Sequence, residues 1–174
     1  MKGMLKALTA VAMATAFTAS TAQAQSAPYF GVAGTGMFSL EEGGGSMFGG
    51  TALVGITPAT MPIGFRVDAT VLHKSFDEGG SITPIQGTAG VVYTFQTAET
   101  SKIHPYLLAA GGVYHVGANG GDFTKPTAKV GAGFDYMLSS VRVFAEPTFN
   151  LLFLGDEAGT QKSLQVNVGV KFGG

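Results

Sequence analysis

The stretch Val130–Leu151, VGAGFDYMLSSVRVFAEPTFNL, decides the fold class. Before a break at residues 138–140, apolar residues alternate with glycine and aspartate; after it, they alternate mainly with arginine, glutamate, threonine and asparagine. A period of two indicates β-strands whose two faces differ in polarity. The same alternation recurs along most of the chain, and no helical segment is predicted that could cover the apolar faces. A closed barrel in lipid, apolar outside and polar inside, accounts for this arrangement.

The first 24 residues have the pattern of a cleaved signal peptide. Two lysines precede an apolar stretch, and Ala22-Gln23-Ala24 supplies an A-x-A cleavage site. We therefore expect an exported protein in which residues 1–24 are removed and residues 25–174 form one barrel domain. The sequence contains no cysteine, which excludes a disulfide framework and a lipid-anchored N-terminus.

The composition suits a small β protein embedded in lipid. Charged residues make up 12% of the chain, about half of the roughly 25% found in typical soluble domains. No stretch after the signal approaches the roughly 18 apolar residues of a transmembrane helix. Without the two signal-peptide lysines, 8 basic residues stand against 11 acidic ones, so neither a nucleic-acid partner nor a polybasic membrane patch is expected.

The alternation predicts an all-β fold: an eight-stranded antiparallel up-and-down transmembrane β-barrel. Each strand has about the 9–11 residues that cross an outer membrane at a tilt. The predicted strands are 28–38, 47–57, 63–73, 84–95, 103–115, 127–137, 141–153 and 163–172. Short connections at 58–62, 96–102 and 138–140 indicate the periplasmic side. Longer loops, rich in glycine and acid, face outward and could contact an extracellular or envelope partner: 39–46, 74–83, 116–126 and 154–162.

Aromatic residues cluster at the predicted periplasmic ends of the strands, as in the girdles of outer-membrane barrels. The predicted girdle comprises Tyr29, Phe30, Phe65, Tyr93, Phe95, Tyr106, Phe134, Tyr136 and Phe172. A sparser ring would mark the outer interface: Phe38, Phe48, Tyr114 and Phe149 or Phe153. Glycine-rich strands 28–38, 47–57 and 103–115 show too little alternation to assign their faces.

Charged residues on the inward faces predict a polar network in the barrel interior. Its members are Arg66, Asp68, Lys129, Asp135, Arg142, Glu146 and Lys171. Pairing residues whose numbers sum to about 277 would place Asp135 opposite Arg142. An eight-stranded barrel is just wide enough for side chains to fill it, and buried charges must be paired. We expect a plugged lumen, with a gated ion path as the alternative.

Three segments resemble a known family: Pro105-Tyr106-Leu107-Leu108-Ala109-Ala110-Gly111-Gly112-Val113-Tyr114, Lys129-Val130-Gly131-Ala132-Gly133-Phe134-Asp135-Tyr136, and Arg142 followed by Ala145-Glu146. They resemble the eight-stranded OmpA- and OmpX-type outer-membrane barrels. Gly173-Gly174 after Phe172 departs from that family, which usually ends at the aromatic residue. The resemblance implies a bacterial outer-membrane protein in contact with lipid. It allows surface binding, envelope stiffening or stress resistance without choosing among them, and we expect neither an enzyme nor an open porin.

No catalytic, cofactor-binding or metal-binding residue is assigned. Two alternatives stay open: a soluble periplasmic barrel that carries a small apolar ligand, and a lipid-modifying enzyme. The first would need apolar residues inside the barrel and polar ones outside. The second would need a histidine with a serine and a carboxylate, for which His73, Ser75 and Asp77 are the nearest approach. A metal pair of His73 and His115 is also conceivable.

Overall fold

The computed structural model describes residues 26–58, 61–76, 80–98, 100–118, 121–155 and 159–174, so the predicted signal peptide lies outside the described residues. The strands are β1 (Ser26–Ser39), β2 (Ser46–Pro58), β3 (Ile63–Ser75), β4 (Ser81–Ile82), β5 (Pro84–Thr94), β6 (Ile103–Ala118), β7 (Gly121–Leu138), β8 (Val141–Gly155) and β9 (Gly159–Gly173). Among the described residues, no helix has the length and apolar character needed to cross a membrane.

Eight of these strands form a closed antiparallel barrel. Each pairs with the next around the ring, and β1 pairs with β9 to close it, with Phe30 opposite Phe172. The two-residue strand β4 only extends the end of β3, where it pairs Lys74 with Ile82. The predicted all-β, eight-stranded, up-and-down topology is confirmed. We call the end of the barrel that holds the start of β1 and the end of β9 the terminal end, and the opposite end the loop end.

Apolar side chains cover the outside of the barrel, whereas most of the buried side chains are polar or charged, with smaller apolar clusters among them. On β3, Phe65 and Val67 are 57% and 42% exposed. Arg66 and Asp68, which alternate with them, are 3% and 2% exposed. This distribution suits a barrel surrounded by hydrocarbon. It is the reverse of the one that a soluble barrel carrying an apolar ligand would need.

The strands extend farther toward the loop end than predicted. β6 and β7 contain 16 and 18 residues. On β7 the outward apolar residues run from Leu138 to Ala128, and Thr124 stands at an outward position beyond them. An eleven-residue tilted segment is about 25 Å tall, which is the height of the apolar belt of such barrels. The predicted strands therefore cover the part of each strand that lies within the belt, and the observed strands continue beyond it. The loop predicted at 116–126 is wrong, because most of it continues β6 and β7.

The glycine-rich strands direct two tyrosines into the lumen. Tyr29 on β1 is 6% exposed and Tyr106 on β6 is 2% exposed. Each lies opposite a glycine of the next strand, Gly55 for Tyr29 and Gly133 for Tyr106. A Cβ atom at Gly133 would lie 2.5 Å from Cζ of Tyr106. The glycine is therefore needed to make room for the phenol ring.

Seven of the nine predicted girdle residues lie on the outer surface near the terminal end: Phe30, Phe65, Tyr93, Phe95, Phe134, Tyr136 and Phe172. The rings of Phe30 and Phe172 stack with centroids 5.1 Å apart. The prediction is wrong for Tyr29 and Tyr106, which point inward, and for Tyr114 of the outer ring, which is also buried in the lumen. Apolar or small residues occupy both faces of β1 and β6, so no alternation in polarity defines the facing of these tyrosines.

Candidate functional site: a buried ion network

An ion pair crosses the middle of the lumen. Arg66 on β3 binds Glu146 on β8 through two hydrogen bonds, Nη1 to Oε2 at 2.5 Å and Nη2 to Oε1 at 2.7 Å. Around the eight-stranded ring, β3 and β8 lie four strands apart in either direction. The pair therefore bridges the full width of the barrel. Its two-point geometry is the strongest that arginine and a carboxylate can form.

Two further charges complete the central network. Asp68 accepts hydrogen bonds from Arg66 Nη2 at 3.0 Å and from Lys129 Nζ at 2.6 Å. Arg66 Nε also lies 2.8 Å from Asp68 Oδ1, an electrostatic contact in which the N–H is not aligned with the oxygen. Two cations thus face two carboxylates, and the network has no formal net charge. Complete pairing of this kind offsets the cost of removing the ions from water.

Neutral side chains extend the central network. Glu146 accepts hydrogen bonds from the Tyr106 hydroxyl at 2.8 Å and from Asn167 Nδ2 at 3.2 Å. A row of threonine hydroxyls on β1, β2 and β3 continues from Asn167 with spacings of 2.9, 2.7 and 2.8 Å: Thr35, Thr51 and Thr70. None of these neutral residues belonged to the predicted network. Asn167 and Thr70 could have been found from their inward positions on β9 and β3, which already carried assigned charges, whereas Thr35, Thr51 and Tyr106 lie on strands whose faces could not be assigned.

A second charge cluster lies near the terminal end. Lys171 Nζ donates to Asp135 Oδ1 at 2.7 Å, and Arg142 Nη1 lies 3.8 Å from Asp135 Oδ2. The side chains of Arg142 and Asp135 are 19% and 11% exposed, so water reaches this cluster. The ammonium group of Lys171 also lies over three aromatic rings at 4.3, 4.6 and 5.7 Å from the centroids, those of Tyr106, Phe144 and Tyr29.

The register of β7 and β8 differs by two residues from the predicted one. Asp135 lies opposite Phe144, and Arg142 lies opposite Met137. The predicted sum of 277 was wrong because Leu138 still pairs with Val141, so that only two serines form the turn; Ser139 takes a φ of 52° there. Arg142 nevertheless approaches Asp135 along a diagonal. All seven predicted interior charges point into the barrel, four in the central network and three in the terminal cluster.

The histidines lie apart from both clusters. His73 Nε2 is 3.3 Å from the Ser75 hydroxyl, and its Nδ1 is 3.3 Å from that of Thr83. Asp77, the carboxylate of the enzyme alternative, lies outside the described residues. His115 pairs with Thr124 instead, and it lies on β6, separated from β3 by β5. Within the described ranges there is no cluster of three or more side chains that could hold a metal ion.

Comparison with solved structures shows which known proteins share this fold. Neisserial surface protein A matches with a TM-score of 0.61 and 21% identity, over 84% of this chain and 96% of that one. A major outer membrane protein from Thermus thermophilus matches with a TM-score of 0.60 and 13% identity, over 85% and 99%. Ail, the attachment invasion locus protein of Yersinia pestis, in complex with the heparin analogue sucrose octasulfate, matches at 0.56 and 14%, over 86% and 99%.

These similarities cover nearly the whole of each barrel, and they show the fold. The resemblance to small OmpA- and OmpX-type outer-membrane barrels is therefore confirmed at the level of the fold. No protein-family model matches the chain, and no curated protein sequence matches it.

Proposed function

We propose that this chain is a small integral barrel of a bacterial outer membrane, exported by the signal peptide at residues 1–24. Its lumen is closed by side chains, and its role is structural or surface-binding rather than catalytic. The observation that carries the proposal is the Arg66–Glu146 pair, which joins opposite walls of the barrel beneath an apolar exterior. An ion would have to break this buried pair to pass, and breaking such a pair costs several kcal/mol.

The membrane part of the proposal is tested by fractionation. Cells that express the chain are washed with alkaline carbonate, and the membrane fraction is analysed on a gel with and without boiling. We expect the protein to stay in the membrane and to migrate differently when unboiled, because a closed, hydrogen-bonded barrel resists detergent. Release by carbonate together with identical mobility would favour the soluble ligand-carrying barrel instead.

The closed lumen is tested in planar lipid bilayers. Purified, refolded protein should give no steady single-channel current. A general porin in the same lipid serves as the positive control and should give one. Steady currents that scale with the amount of inserted protein would overturn the plug and support the gated ion path. The enzyme alternative is tested separately: replacing His73 and His115 should leave the acyl patterns of lipid A and phospholipids unchanged.

The surface role is supported by the charge of the loop end. The four predicted outer loops together carry seven carboxylates and three lysines, a formal net charge of −4. Ail is seen in complex with the polyanionic sucrose octasulfate, but here a polyanion would meet charge of the same sign. Complementary charge favours encounter and specificity, so the partner that suits this chain presents a cationic surface.

This charge preference is tested on intact cells that display the barrel. We expect them to retain fluorescent polylysine better than heparin, and the difference should shrink as ionic strength rises. Replacing Glu41 and Glu42 by glutamine should lower polylysine retention, whereas the matched variant Lys162→Gln should raise it slightly. Stronger retention of heparin than of polylysine would rule out a cationic partner.

A further inference from the structure

Between the central network and the loop end, the lumen contains a cavity that is partly open to the outside. Seven of the eight barrel strands contribute to its wall. The lining residues are Met37, Ser39, Met47, Gln86, Tyr114, Thr127, Asn150, Leu152, Gln161 and Ser163. All ten are uncharged, which distinguishes this level of the lumen from the two charge clusters nearer the terminal end. A ligand of this cavity would therefore be neutral.

Two polar side chains at the cavity have unused hydrogen-bonding capacity. Gln86 is 2% exposed, and its Nε2 donates to Thr127 Oγ1 at 3.2 Å and to Asn150 Oδ1 at 3.3 Å. Its Oε1 has no hydrogen-bond partner among the described residues. Tyr114 lies directly opposite Gln86, and its hydroxyl contacts Met47 Sδ at 3.9 Å, a weak acceptor. A buried carbonyl oxygen without a partner is costly, so a donor that reaches it is favoured.

The remaining wall offers apolar contact. Met37 and Met47 lie opposite each other on β1 and β2, and both line the cavity. Leu152 and the ring of Tyr114 add to this apolar surface. Methionine side chains adapt to ligands of irregular shape because they are unbranched and polarisable. Apolar walls with a few convergent polar groups are the usual composition of small-molecule sites.

We propose that this cavity binds a small, neutral, mostly apolar molecule that carries one hydroxyl group and enters from the loop end. A hydroxyl both donates and accepts, so one group can donate to Gln86 Oε1 and accept from the Tyr114 hydroxyl. The apolar part of the ligand lies against Met37, Met47 and Leu152. The proposal does not depend on the membrane or surface role, since it rests on the lumen alone.

The four methionines after the signal peptide provide the test. Met37 and Met47 line the cavity, while Met61 and Met137 lie near the terminal end and serve as internal controls. The refolded barrel is labelled with [13C-methyl]methionine and titrated with phenol, or with toluene as the matched probe that lacks the hydroxyl. We expect phenol to shift the Met37 and Met47 signals saturably and the other two much less. Toluene should bind roughly fivefold more weakly, because it forms no hydrogen bond.

Two variants assign the hydrogen bonds. Gln86→Leu should weaken phenol binding several-fold and reverse the preference, so that toluene binds better than phenol. Tyr114→Phe should weaken the binding of phenol and leave that of toluene unchanged. Because it removes only a hydroxyl group, Tyr114→Phe also provides the test if Gln86→Leu does not refold. Equal shifts of all four methionines would mean partitioning into detergent. No saturable shift of Met37 and Met47 up to the solubility limit would mean that the cavity holds only water. Either result would overturn the proposal, as would unchanged phenol affinity in Tyr114→Phe.

Discussion

The central network and the terminal cluster are both built from paired charges, but they differ in their access to water. In the central network every charged side chain is at most 2% exposed. In the terminal cluster Arg142 and Asp135 keep 19% and 11% of their side-chain surface accessible. A charge that loses its partner in the central network stays buried and uncompensated, whereas water can take the place of a lost partner in the terminal cluster. The difference indicates that the central network holds opposite walls together and that the terminal cluster contributes less to stability.

The largest effect is expected from Arg66→Met. This change leaves Glu146 and Asp68 buried with only Lys129 to compensate them, which should lower the free energy of unfolding by about 3–5 kcal/mol. Urea unfolding in lipid vesicles, followed by the loss of the unboiled gel band, measures it. The double variant Arg66→Met with Glu146→Gln keeps the balanced Asp68–Lys129 pair and should recover much of the loss. If the double variant were as unstable as Arg66→Met alone, charge balance would not be the source of the stability that the central network provides.

A smaller effect is expected from Tyr106→Phe. The variant removes the hydroxyl that donates to Glu146 at 2.8 Å, and a hydrogen bond to a buried charge contributes about 1.5–3 kcal/mol. The matched control is Tyr29→Phe, because the Tyr29 hydroxyl makes no hydrogen bond to any described side chain and should change stability by less than about 0.5 kcal/mol. The same urea titration compares the two. Equal losses would mean that the hydrogen bond to Glu146 adds nothing measurable to stability, because both variants keep the ring and lose only the hydroxyl group.

The smallest of the three effects is expected from Lys171→Met in the terminal cluster. Asp135 then keeps Arg142 nearby and some contact with water, so the loss should be about 1–2 kcal/mol, well below that of Arg66→Met. High salt should reduce the loss further here and should barely alter that of Arg66→Met. If Lys171→Met proved as costly as Arg66→Met, the contrast between the two clusters would not hold.

Most of the fold could be predicted because a membrane barrel repeats one local rule, which β3, β7, β8 and β9 follow along most of their length, with Phe144 as an apolar exception on the inward face of β8. The rule failed where apolar or small residues occupy both faces, as around Tyr29 and Tyr106, because the two faces then do not differ in polarity. Register could not be predicted either, since it depends on whether Leu138 belongs to the strand or to the turn. The charged members of the central network were evident from their alternation. The threonine row was not, because a threonine is equally common on an exposed strand face.

The extension of β7 beyond the apolar belt has a consequence for recognition. Residues 121–127 carry the sheet roughly 15 Å past the belt, and the neighbouring strand β6 reaches Ala118 at the same end. A partner that contacted these strand ends would meet a preorganised surface, so little conformational freedom would be lost on contact. For such a partner, lengthening a connection between the strands should weaken binding even when every contact residue is retained.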